Sequence, residues 1–392
     1  MKVAILGGGP SGAFAAERLA SAGVKTILLD EKLAWEKPCG GGLTWKAYSQ
    51  YPFLSSDSTP HKIVRETVLS APNSVPVNLK LDHPLLIYSR FDLNNLLLKR
   101  AEAAGTQIEK TRVLATDRTS TGWTLRTKHG DIEVDRCIVA TGARNPLRQM
   151  GTELTANDAM SALGYYVPCD RERIDIQFLP GLEGYIWVFP RCGHLSVGIC
   201  GKGETAQSLR QRLERYMDEQ GISRKDATFY SHLLPALDTP AWKQNRVAGD
   251  GWMATGDAAG LVDPITGEGL YYAIRSADLA TQAILAAPAD LTGATYRKHL
   301  RKDFVGDLEL ASRLAYRVFQ GRFLFGSVPT RMVQFTRLSP LFREVMQDLF
   351  EGSQPYLGLK RRLFMNLNWS LLEIVCNLGF GRLIPRRETA GS

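Results

Sequence analysis

The first thirty residues contain a strand, a glycine-rich turn, a helix and a second strand in immediate succession. The apolar run Lys2–Leu6 predicts a buried strand, and Ala13–Ala22 has alanine and leucine at helical spacing. The turn Gly7–Gly12 lies between them, and a second apolar run, Val24–Asp30, follows the helix at once. This order is that of a βαβ unit, whose two strands run parallel in one sheet. The chain therefore begins as an α/β protein.

The turn has the pattern G-x-G-x-x-G, written here Gly7-Gly8-Gly9-Pro10-Ser11-Gly12. The first glycine permits a tight turn, the second lets backbone N–H groups approach a pyrophosphate, and the third lets helix and strand pack closely. An acidic residue ends the second strand, where its carboxylate can accept hydrogen bonds from a ribose. These features predict a dinucleotide-binding site made of Gly7, Gly9, Pro10, Ser11, Gly12 and Asp30.

Composition narrows the class of protein further. The chain has 392 residues, 44% of them hydrophobic and 22% charged, which predicts a globular protein with more than one module. No apolar run reaches the ~18–20 residues of a membrane span, and no signal-peptide core follows Met1, so we expect neither a spanning segment nor secretion.

Charge and cysteine content bear on partners and location. The six cysteines form no C-x-x-C pair and no zinc-ligand pattern, which predicts a reduced, cytoplasmic protein without a metal site. The net charge of +8 is compatible with an anionic membrane surface or phosphorylated ligands. The usual nucleic-acid-binding motifs are absent, so we expect no nucleic-acid partner.

The remaining chain alternates between two kinds of pattern. Arg90–Ala104 predicts a helix, and Cys137–Ala140 an apolar strand that returns to the first sheet. The short strands predicted between them form a β-meander: Gln107–Lys110, Arg112–Thr116, Trp123–Thr127 and Ile132–Val134. Four later strands predict an antiparallel sheet: Leu163–Val167, Ile174–Phe178, Tyr185–Phe189 and Leu195–Cys200. A strand at Gly251–Thr255 and a helix at Gly267–Ala286 complete the first module, and the chain beyond Thr292 is almost wholly helical in pattern.

A second glycine motif, Ala254-Thr255-Gly256-Asp257-Ala258-Ala259-Gly260, lies between the last strand and the long helix. It resembles the late G-D motif of FAD enzymes, in which the aspartate holds the ribityl chain; a helix cap at Asp257 is the alternative. Ala140-Thr141-Gly142-Ala143 resembles the A-T-G turn of the same flavoproteins, and Arg90 matches an arginine near the FAD phosphates, with a solvated surface arginine as the alternative. FAD is therefore the expected cofactor. The residues that these motifs add to its site are Arg90, Thr141, Gly142, Gly256 and Asp257, together with Val113 in the meander.

We predict an α/β fold in which a Rossmann-type FAD-binding domain is interleaved with an antiparallel-sheet substrate domain and followed by a helical C-terminal region. The predicted FAD-binding domain is discontinuous, because strands far along the chain complete its sheet. The boundaries are 1–60, 90–160 and 246–290 for the FAD-binding domain, 61–89 and 161–245 for the substrate domain, and 291–392 for the helical region.

Three further segments narrow the resemblance: Lys37-Pro38-Cys39-Gly40-Gly41-Gly42-Leu43, Tyr185-Ile186-Trp187-Val188-Phe189-Pro190, and Asp263-Pro264-Ile265-Thr266-Gly267-Glu268-Gly269. They resemble the P-C-G segment, the Y-x-W-x-F-P signature and the P-x-x-G-x-G loop of the geranylgeranyl reductase family, within the flavoproteins related to p-hydroxybenzoate hydroxylase. The resemblance implies an FAD-dependent reductase. It also places the following residues beside the flavin: Cys39, Gly40, Pro264, Gly267 and Gly269.

Four side chains in these segments are candidates for a catalytic or substrate-binding role. Along a strand, Tyr185, Trp187 and Phe189 share one face and can form an aromatic wall against an apolar substrate; an ordinary sheet core is the alternative. Cys39 lies in a loop bounded by proline and glycine, and the resemblance places it near flavin and substrate, where it would donate a proton or gate the site. We predict that Cys39, Tyr185 and Trp187 are catalytic and that Tyr185, Trp187 and Phe189 bind substrate.

The leading hypothesis is an FAD-dependent reductase of carbon–carbon double bonds in a long isoprenoid or lipid-like substrate, with hydride from reduced flavin N5. It requires an external reductant, either NADPH or a reduced electron carrier. One alternative is a flavin monooxygenase or halogenase of the same fold. Halogenases carry a W-x-W-x-I-P segment, which Tyr185–Pro190 partly matches. The other is an electron-transfer flavoprotein that acts on a quinone.

Near the C-terminus, apolar residues recur at helical spacing behind Lys360-Arg361-Arg362. Such a helix could line a tunnel, lie peripherally on an anionic membrane surface, or be a plain core helix. These residues are Leu359, Leu363, Phe364, Leu367, Leu371, Leu372, Ile374, Val375 and Leu378.

Overall fold

The structure is a computed structural model that describes residues 1–147, 149–362 and 365. Its strands, in chain order, are β1 (Lys2–Leu6), β2 (Lys25–Leu29), β3 (Gly42–Leu43), β4 (His61–Ser70), β5 (Val77–Tyr88), β6 (Gln107–Glu109), β7 (Val113–Arg118), β8 (Trp123–Thr127), β9 (Gly130–Val134), β10 (Arg136–Val139), β11 (Ala159–Val167), β12 (Ile174–Phe178), β13 (Glu183–Arg191), β14 (His194–Lys202), β15 (Thr228–Pro235), β16 (Ala248–Gly249), β17 (Trp252–Ala254), β18 (Arg322–Phe323) and β19 (Gly326–Ser327). Its helices are α1 (Pro10–Ser21), α2 (Trp45–Gln50), α3 (Phe53–Ser56), α4 (Arg90–Ala103), α5 (Ala206–Glu219), α6 (Thr239–Gln244), α7 (Leu270–Ala286), α8 (Thr292–Leu300), α9 (Gly306–Gln320), α10 (Val328–Leu338) and α11 (Pro340–Glu351).

The first sheet contains the βαβ unit predicted from the N-terminal residues. Its strand order is β16-β17-β10-β1-β2-β6, and every neighbouring pair is parallel except β16 with β17. The central strand β1 is buried from Val3 to Leu6, as expected where both faces of a parallel sheet are covered. β10 and β17 return from later parts of the chain to lie beside β1, and the predicted α/β fold class is confirmed.

The β-meander is one strand shorter than predicted. β7, β8 and β9 form an antiparallel three-stranded sheet. β6 was expected as its first strand but pairs parallel with β2 at the edge of the first sheet. The reason is topological: β6 follows the crossover helix α4, and a strand after such a helix returns to the same parallel sheet.

The second sheet has eight strands in the order β15-β11-β14-β13-β12-β4-β5-β3. Its neighbours are antiparallel apart from β12 and β4, which run parallel, so the sheet is mixed at that one position. β15 was not predicted, because residues 228–235 lack a clean alternation of apolar and polar side chains. The proposed domain boundaries remain predictions.

Over residues 292–362, which the structure describes, the chain is almost wholly helical, as its pattern predicts, and the short hairpin β18–β19 lies between α9 and α10. Pro329 and Pro340 lie in the first turns of α10 and α11, where a missing N–H costs no helical hydrogen bond. α9 contacts β13, while α10 and α11 contact β5, so these helices close over the second sheet.

The apolar residues predicted to form a tunnel or membrane helix lie mostly outside the described residues. These are Leu363, Phe364, Leu367, Leu371, Leu372, Ile374, Val375 and Leu378. Across 1–147, 149–362 and 365, no helix combines the length and the apolar character that crossing a bilayer demands.

Candidate active site

A cavity joins the first sheet, the second sheet and the C-terminal helices. It begins at the N-terminus of α1 with Gly9, Pro10 and Ser11 and passes the segment Lys37–Gly42. Its middle is walled by side chains of the second sheet. Its far end is lined by apolar side chains of α9, α10 and α11, namely Val318, Met332, Met346, Leu349 and Phe350. The cavity therefore runs from a dinucleotide-binding turn into an apolar chamber.

The glycines of the first turn have different surroundings. Gly7 has φ of +112°, and a Cβ there would lie against the carbonyl oxygen of Ala140, so only glycine fits. A Cβ at Gly12 would collide with the carbonyl oxygen of Gly7, since helix and turn are in close contact. A Cβ at Gly9 would meet nothing within 4 Å. The space beside the Gly9 backbone is thus open to the cavity, which Gly9 lines.

The N-terminus of α1 has the features of an anion-binding site. Gly9 is its N-cap and supplies no side-chain cap, and Pro10 occupies the first turn. The hydroxyl of Ser11 donates to Thr255 Oγ1 at 2.6 Å and so links the first glycine motif to the second. The amide of Gly256 donates to Ser276 Oγ at 2.9 Å, which anchors the second motif to α7. The helix dipole and the free N–H groups of α1 favour a bound phosphate here.

The carboxylate of Asp30 accepts hydrogen bonds from backbone amides of the glycine-rich turn and of the segment after β2, which the predicted ribose contact does not include. Its Oδ2 accepts from the amide of Gly8 at 2.6 Å. Its Oδ1 accepts from the amides of Lys32 and Leu33 at 2.7 and 2.8 Å. Asp30 is not among the side chains that line the cavity, so its ribose contact stays a prediction.

Arg90 lines the cavity and lacks a counter-charge. Its side chain is 3% exposed, and Nη2 donates to Asn94 Oδ1 at 3.3 Å. Its Nε has no partner, and no carboxylate of the described residues is within ion-pair distance. A buried guanidinium without an anion is costly, which makes Arg90 a fitting partner for a phosphate. The alternative of a solvated surface arginine is wrong.

Asp257 is paired with a lysine that its motif did not predict. Lys37 Nζ donates to Asp257 Oδ2 at 3.1 Å, and both side chains are largely buried. Burial raises the pKa of Asp257, but the charge of the neighbouring Lys37 and its hydrogen bond outweigh burial and hold the pKa below its usual value. Burial and the charge of Lys37 lower the pKa of His232 to about 3, so this imidazole is neutral in the cavity.

The other predicted cofactor residues divide into two groups. Gly142, with φ of +81°, lines the cavity, and Thr141 before it donates to Asn145 Oδ1 at 2.8 Å. The side chain of Val113 belongs to the apolar core of the first sheet and does not line the cavity, and Pro264 does not line it either. For these two residues the structure offers no side-chain route to a cofactor in this cavity.

The loop that carries Cys39 is fixed by a buried ion pair. The fully buried Arg191 pairs with Glu36 and donates to the carbonyl oxygens of Cys39 and Gly40. Glu36 also accepts from the amide of Arg90 at 2.9 Å. Burial raises the pKa of Glu36, but Arg191 and that backbone amide bring it below its ordinary value. The ion pair thus holds a loop that has no regular secondary structure.

Cys39 itself lines the cavity and is half-buried. The amide of Gly41 donates to its Sγ at 3.3 Å, and Ser196 Oγ donates to its carbonyl oxygen at 3.0 Å. Gly41 has φ of +85°, and a Cβ at Gly40 would enter the ring of Phe189. The loop therefore lies directly against the predicted aromatic wall.

We expect Arg191→Met to destabilise the protein by about 3 kcal/mol, because it leaves the Glu36 carboxylate partly buried without its partner. Arg210→Met is the matched control, since Arg210 and Glu214 form an exposed pair whose loss should cost less than about 1 kcal/mol. Urea unfolding monitored by tryptophan fluorescence measures both. Equal losses in the two variants would show that the buried pair does not fix the loop.

Tyr185, Trp187 and Phe189 all line the cavity, as expected from their shared face of β13. The Tyr185 hydroxyl donates to the carbonyl oxygen of Thr266, which ties the wall to the loop before α7. Burial raises the pKa of Tyr185 well above its usual value, so the phenol stays protonated. Trp187 donates from Nε1 to Ser196 Oγ at 3.4 Å and packs over Gly198. Both rings are held in one orientation.

The loop before α7 adds acidic groups to the cavity. Glu268 caps α7 by accepting from the amide of Tyr271 at 2.9 Å, so one of the first N–H groups of this helix is already satisfied. Burial raises the pKa of Glu268 to about 7, against the opposing effects of that amide and of Lys46. Gly267, with φ of +70°, and Gly269 line the cavity beside it.

Residues 1–161 match the family described as pyridine nucleotide-disulphide oxidoreductase. A curated relative, the chloroplastic geranylgeranyl diphosphate reductase of Oryza sativa subsp. japonica, is 29% identical over 338 residues, which cover 77% of this chain and 70% of the relative. The chain is an FAD-dependent oxidoreductase. The predicted resemblance to geranylgeranyl reductases and the predicted FAD cofactor are both confirmed.

Solved structures share the fold of this oxidoreductase. A geranylgeranyl bacteriochlorophyll reductase-like protein from Thermoplasma acidophilum has a TM-score of 0.76 at 23% identity, covering 92% of this chain and 98% of that chain. A flavin-dependent brominase has a TM-score of 0.68 at 16% identity, covering 90% and 94%. At these identities the likeness concerns the fold alone.

Three observations indicate that the cavity of the oxidoreductase fits FAD. Open space at Gly9 gives access to the backbone, α1 begins without a side-chain cap, and the buried guanidinium of Arg90 has no carboxylate partner. Among the residues that the structure describes, no group of three His, Cys, Asp or Glu side chains could hold a metal ion.

Several residues of the site were not predicted from the sequence. Lys37 was noted only as a neighbour of Cys39, while His232 and Tyr230 lie on β15, which was itself not predicted. The ion pair of Arg191 and Glu36 joins residues 155 positions apart. Tyr230, His232 and Leu234 share the cavity-facing side of β15, but the residues between them are not uniformly polar, so no clear signal in the sequence marks this face.

Proposed function

We propose that this oxidoreductase reduces carbon–carbon double bonds in a long isoprenoid or lipid-like substrate. The continuity of the cavity is the observation that carries the proposal: the space beside the α1 N-terminus and Asp257 opens without interruption into the chamber under α9, α10 and α11. A substrate in that chamber is surrounded by apolar side chains from a sheet and three helices. An extended hydrocarbon is the ligand that such a chamber binds best, because burial of apolar surface drives its entry.

The aromatic wall sits where the two parts of the cavity meet. Tyr185 and Trp187 pack edge to face with ring centroids 6.2 Å apart, and Phe189 lies against Gly40. Because Tyr185 and Trp187 are held by hydrogen bonds to Thr266 and Ser196, they offer fixed surfaces to an alkene. We assign them the role of orienting the double bond and excluding water.

FAD held by the N-terminus of α1 and by Arg90 would supply the hydride, and an external reductant, NADPH or a reduced electron carrier, would renew it. The second carbon of the double bond needs a proton, so the chain must supply a donor in the same cavity. We assign this step to Cys39, whose thiol lines the cavity beside the aromatic wall. Tyr185 is a weaker candidate, since its hydroxyl proton is committed to the carbonyl oxygen of Thr266.

The test uses the FAD-loaded protein, photoreduced without oxygen and mixed with geranylgeranyl-bearing lipids. We expect reoxidation of the flavin with a gain of two mass units for each double bond reduced, measured by mass spectrometry of the extracted lipid. The same lipid without double bonds is the control and should leave the flavin reduced.

Two other outcomes would contradict the proposal. A product that carries oxygen or halogen after reaction in air with halide would indicate a monooxygenase or halogenase. A quinone that gains two mass units but returns to its original mass in air would indicate reduction of the quinone ring, as in an electron-transfer flavoprotein.

A further inference from the structure

The hairpin between α9 and α10 exposes apolar side chains at its tip. Phe325 is 100% exposed, and Leu324 and Phe323 beside it are 45% and 38% exposed. Tyr316, on the preceding helix, is 66% exposed. Single exposed apolar residues are ordinary, but three consecutive ones at the end of a projecting hairpin form a defined apolar tip.

The backbone of this tip is strained. β18 and β19 pair Arg322 with Ser327 and Phe323 with Gly326, which leaves Leu324 and Phe325 as the two central residues of the turn. Their φ values are +46° and +60°. A turn of this kind favours Asn-Gly, and a bulky side chain pays a conformational cost there. The fold alone gives no reason for leucine and phenylalanine at these positions.

Contacts with α10 hold the strained turn in place. Arg331 of α10 donates from Nε to the carbonyl oxygen of Phe323 at 3.4 Å, and from Nη2 to that of Leu324. The ring of Phe323 packs edge to face on Phe335, with centroids 6.1 Å apart. The hairpin is thus anchored at its base, while Leu324 and Phe325 point away from the protein.

The segment around the tip is strongly basic. Residues 310–343 contain six arginines and no aspartate or glutamate. None of these arginines forms an ion pair with a carboxylate of the described residues, and Arg313, Arg317 and Arg322 are exposed close to the tip in sequence. The arginines are Arg313, Arg317, Arg322, Arg331, Arg337 and Arg343. An apolar tip within unpaired positive charge matches the interface of an anionic bilayer, where rings enter the acyl boundary and arginines meet phosphates.

We propose that the tip Phe323–Phe325 docks this protein on an anionic membrane surface. The connection to the cavity supports this placement, because the hairpin joins α9 and α10, which contribute Val318 and Met332 to the apolar chamber. The proposed docking rests on features of the hairpin alone and does not require the proposed reaction. If that reaction also holds, the chamber lies behind the docked surface and receives its substrate from the bilayer.

The decisive variant is the double substitution Leu324→Asn and Phe325→Gly in the FAD-loaded protein. It gives the turn its favoured residues, so the melting temperature should stay the same or rise, while sedimentation with vesicles of phosphatidylglycerol and phosphatidylcholine should fall at least about tenfold in partition coefficient. The matched control is Val75→Ser with Leu114→Ser, which removes exposed apolar side chains elsewhere and should bind as the native protein does.

The charge contribution is tested separately. Arg322→Gln should lower the partition coefficient about fivefold, and vesicles of phosphatidylcholine alone should bind both proteins weakly. Native protein that does not sediment with anionic vesicles, or an Asn-Gly variant that sediments like it, would overturn the proposal. So would a native dimer that the Asn-Gly variant converts to monomer in size-exclusion chromatography, since the tip would then join two copies of the chain.

Discussion

A Gly9→Leu protein should fold and purify without bound flavin. Gly9 has φ of −69°, which any residue adopts, and a Cβ there meets nothing within 4 Å, so the substitution strains neither backbone nor packing. The leucine side chain would instead fill the space through which a pyrophosphate reaches the N–H groups of the α1 N-terminus. Losing two charge-assisted hydrogen bonds of about 1.5–3 kcal/mol each weakens FAD binding by at least about a hundredfold.

Gly306→Leu is the matched control for this substitution. Gly306, at the start of α9, is exposed and also has no atom within 4 Å of a built Cβ, but it lies far along the chain from the dinucleotide turn. The ratio of flavin to protein absorbance after purification, and a titration of apoprotein with FAD, measure the effect. If Gly9→Leu holds as much FAD as Gly306→Leu, the cofactor does not approach the backbone at this turn.

Local patterns predicted the first sheet better than the second. β1, α1 and β2 follow from apolar runs and glycines within thirty residues, where each local preference agrees with the final fold. β6 was assigned to the wrong sheet because three residues carry no information about their partner. β15 was overlooked because its pairing with β11 is decided by contacts of distant residues, which periodicity does not report.

Within the site, too, local features were predicted from the sequence and long-range contacts were not. Gly7 and Gly12 were predicted because their chemistry is local: close backbone contact leaves no room for a side chain. The pairing of Lys37 with Asp257 was not predicted, because it joins residues 220 positions apart. The hairpin tip of Phe323–Phe325 was also missed, since a run of apolar residues between helices reads as core. Only its positive φ values and its exposure distinguish it.

Cys39→Ala should separate catalysis from folding. Cys39 is half-buried, and Arg191 and Ser196 fix its loop through the backbone carbonyl oxygen of Cys39, so removing the thiol loses only the hydrogen bond from the Gly41 amide to Sγ. FAD content and melting temperature should therefore stay close to those of the native protein. If the thiol supplies the proton, alkene reduction should fall by roughly 10²-fold or more, the scale of a lost general acid.

Cys200→Ala is the matched control for Cys39→Ala, because it is the same chemical change in the same cavity. Cys200 is 2% exposed on β14, where it belongs to the apolar core, so we expect a stability loss of about 1 kcal/mol and little change in turnover. Thermal melts and single-turnover reoxidation of the reduced flavin measure the two quantities in both variants. If Cys39→Ala instead loses stability and keeps its turnover as Cys200→Ala does, Cys39 is a packing residue, and the proton must come from another group or from water. That result would leave the proposed reductase activity intact, because the FAD site and the apolar chamber do not depend on the thiol.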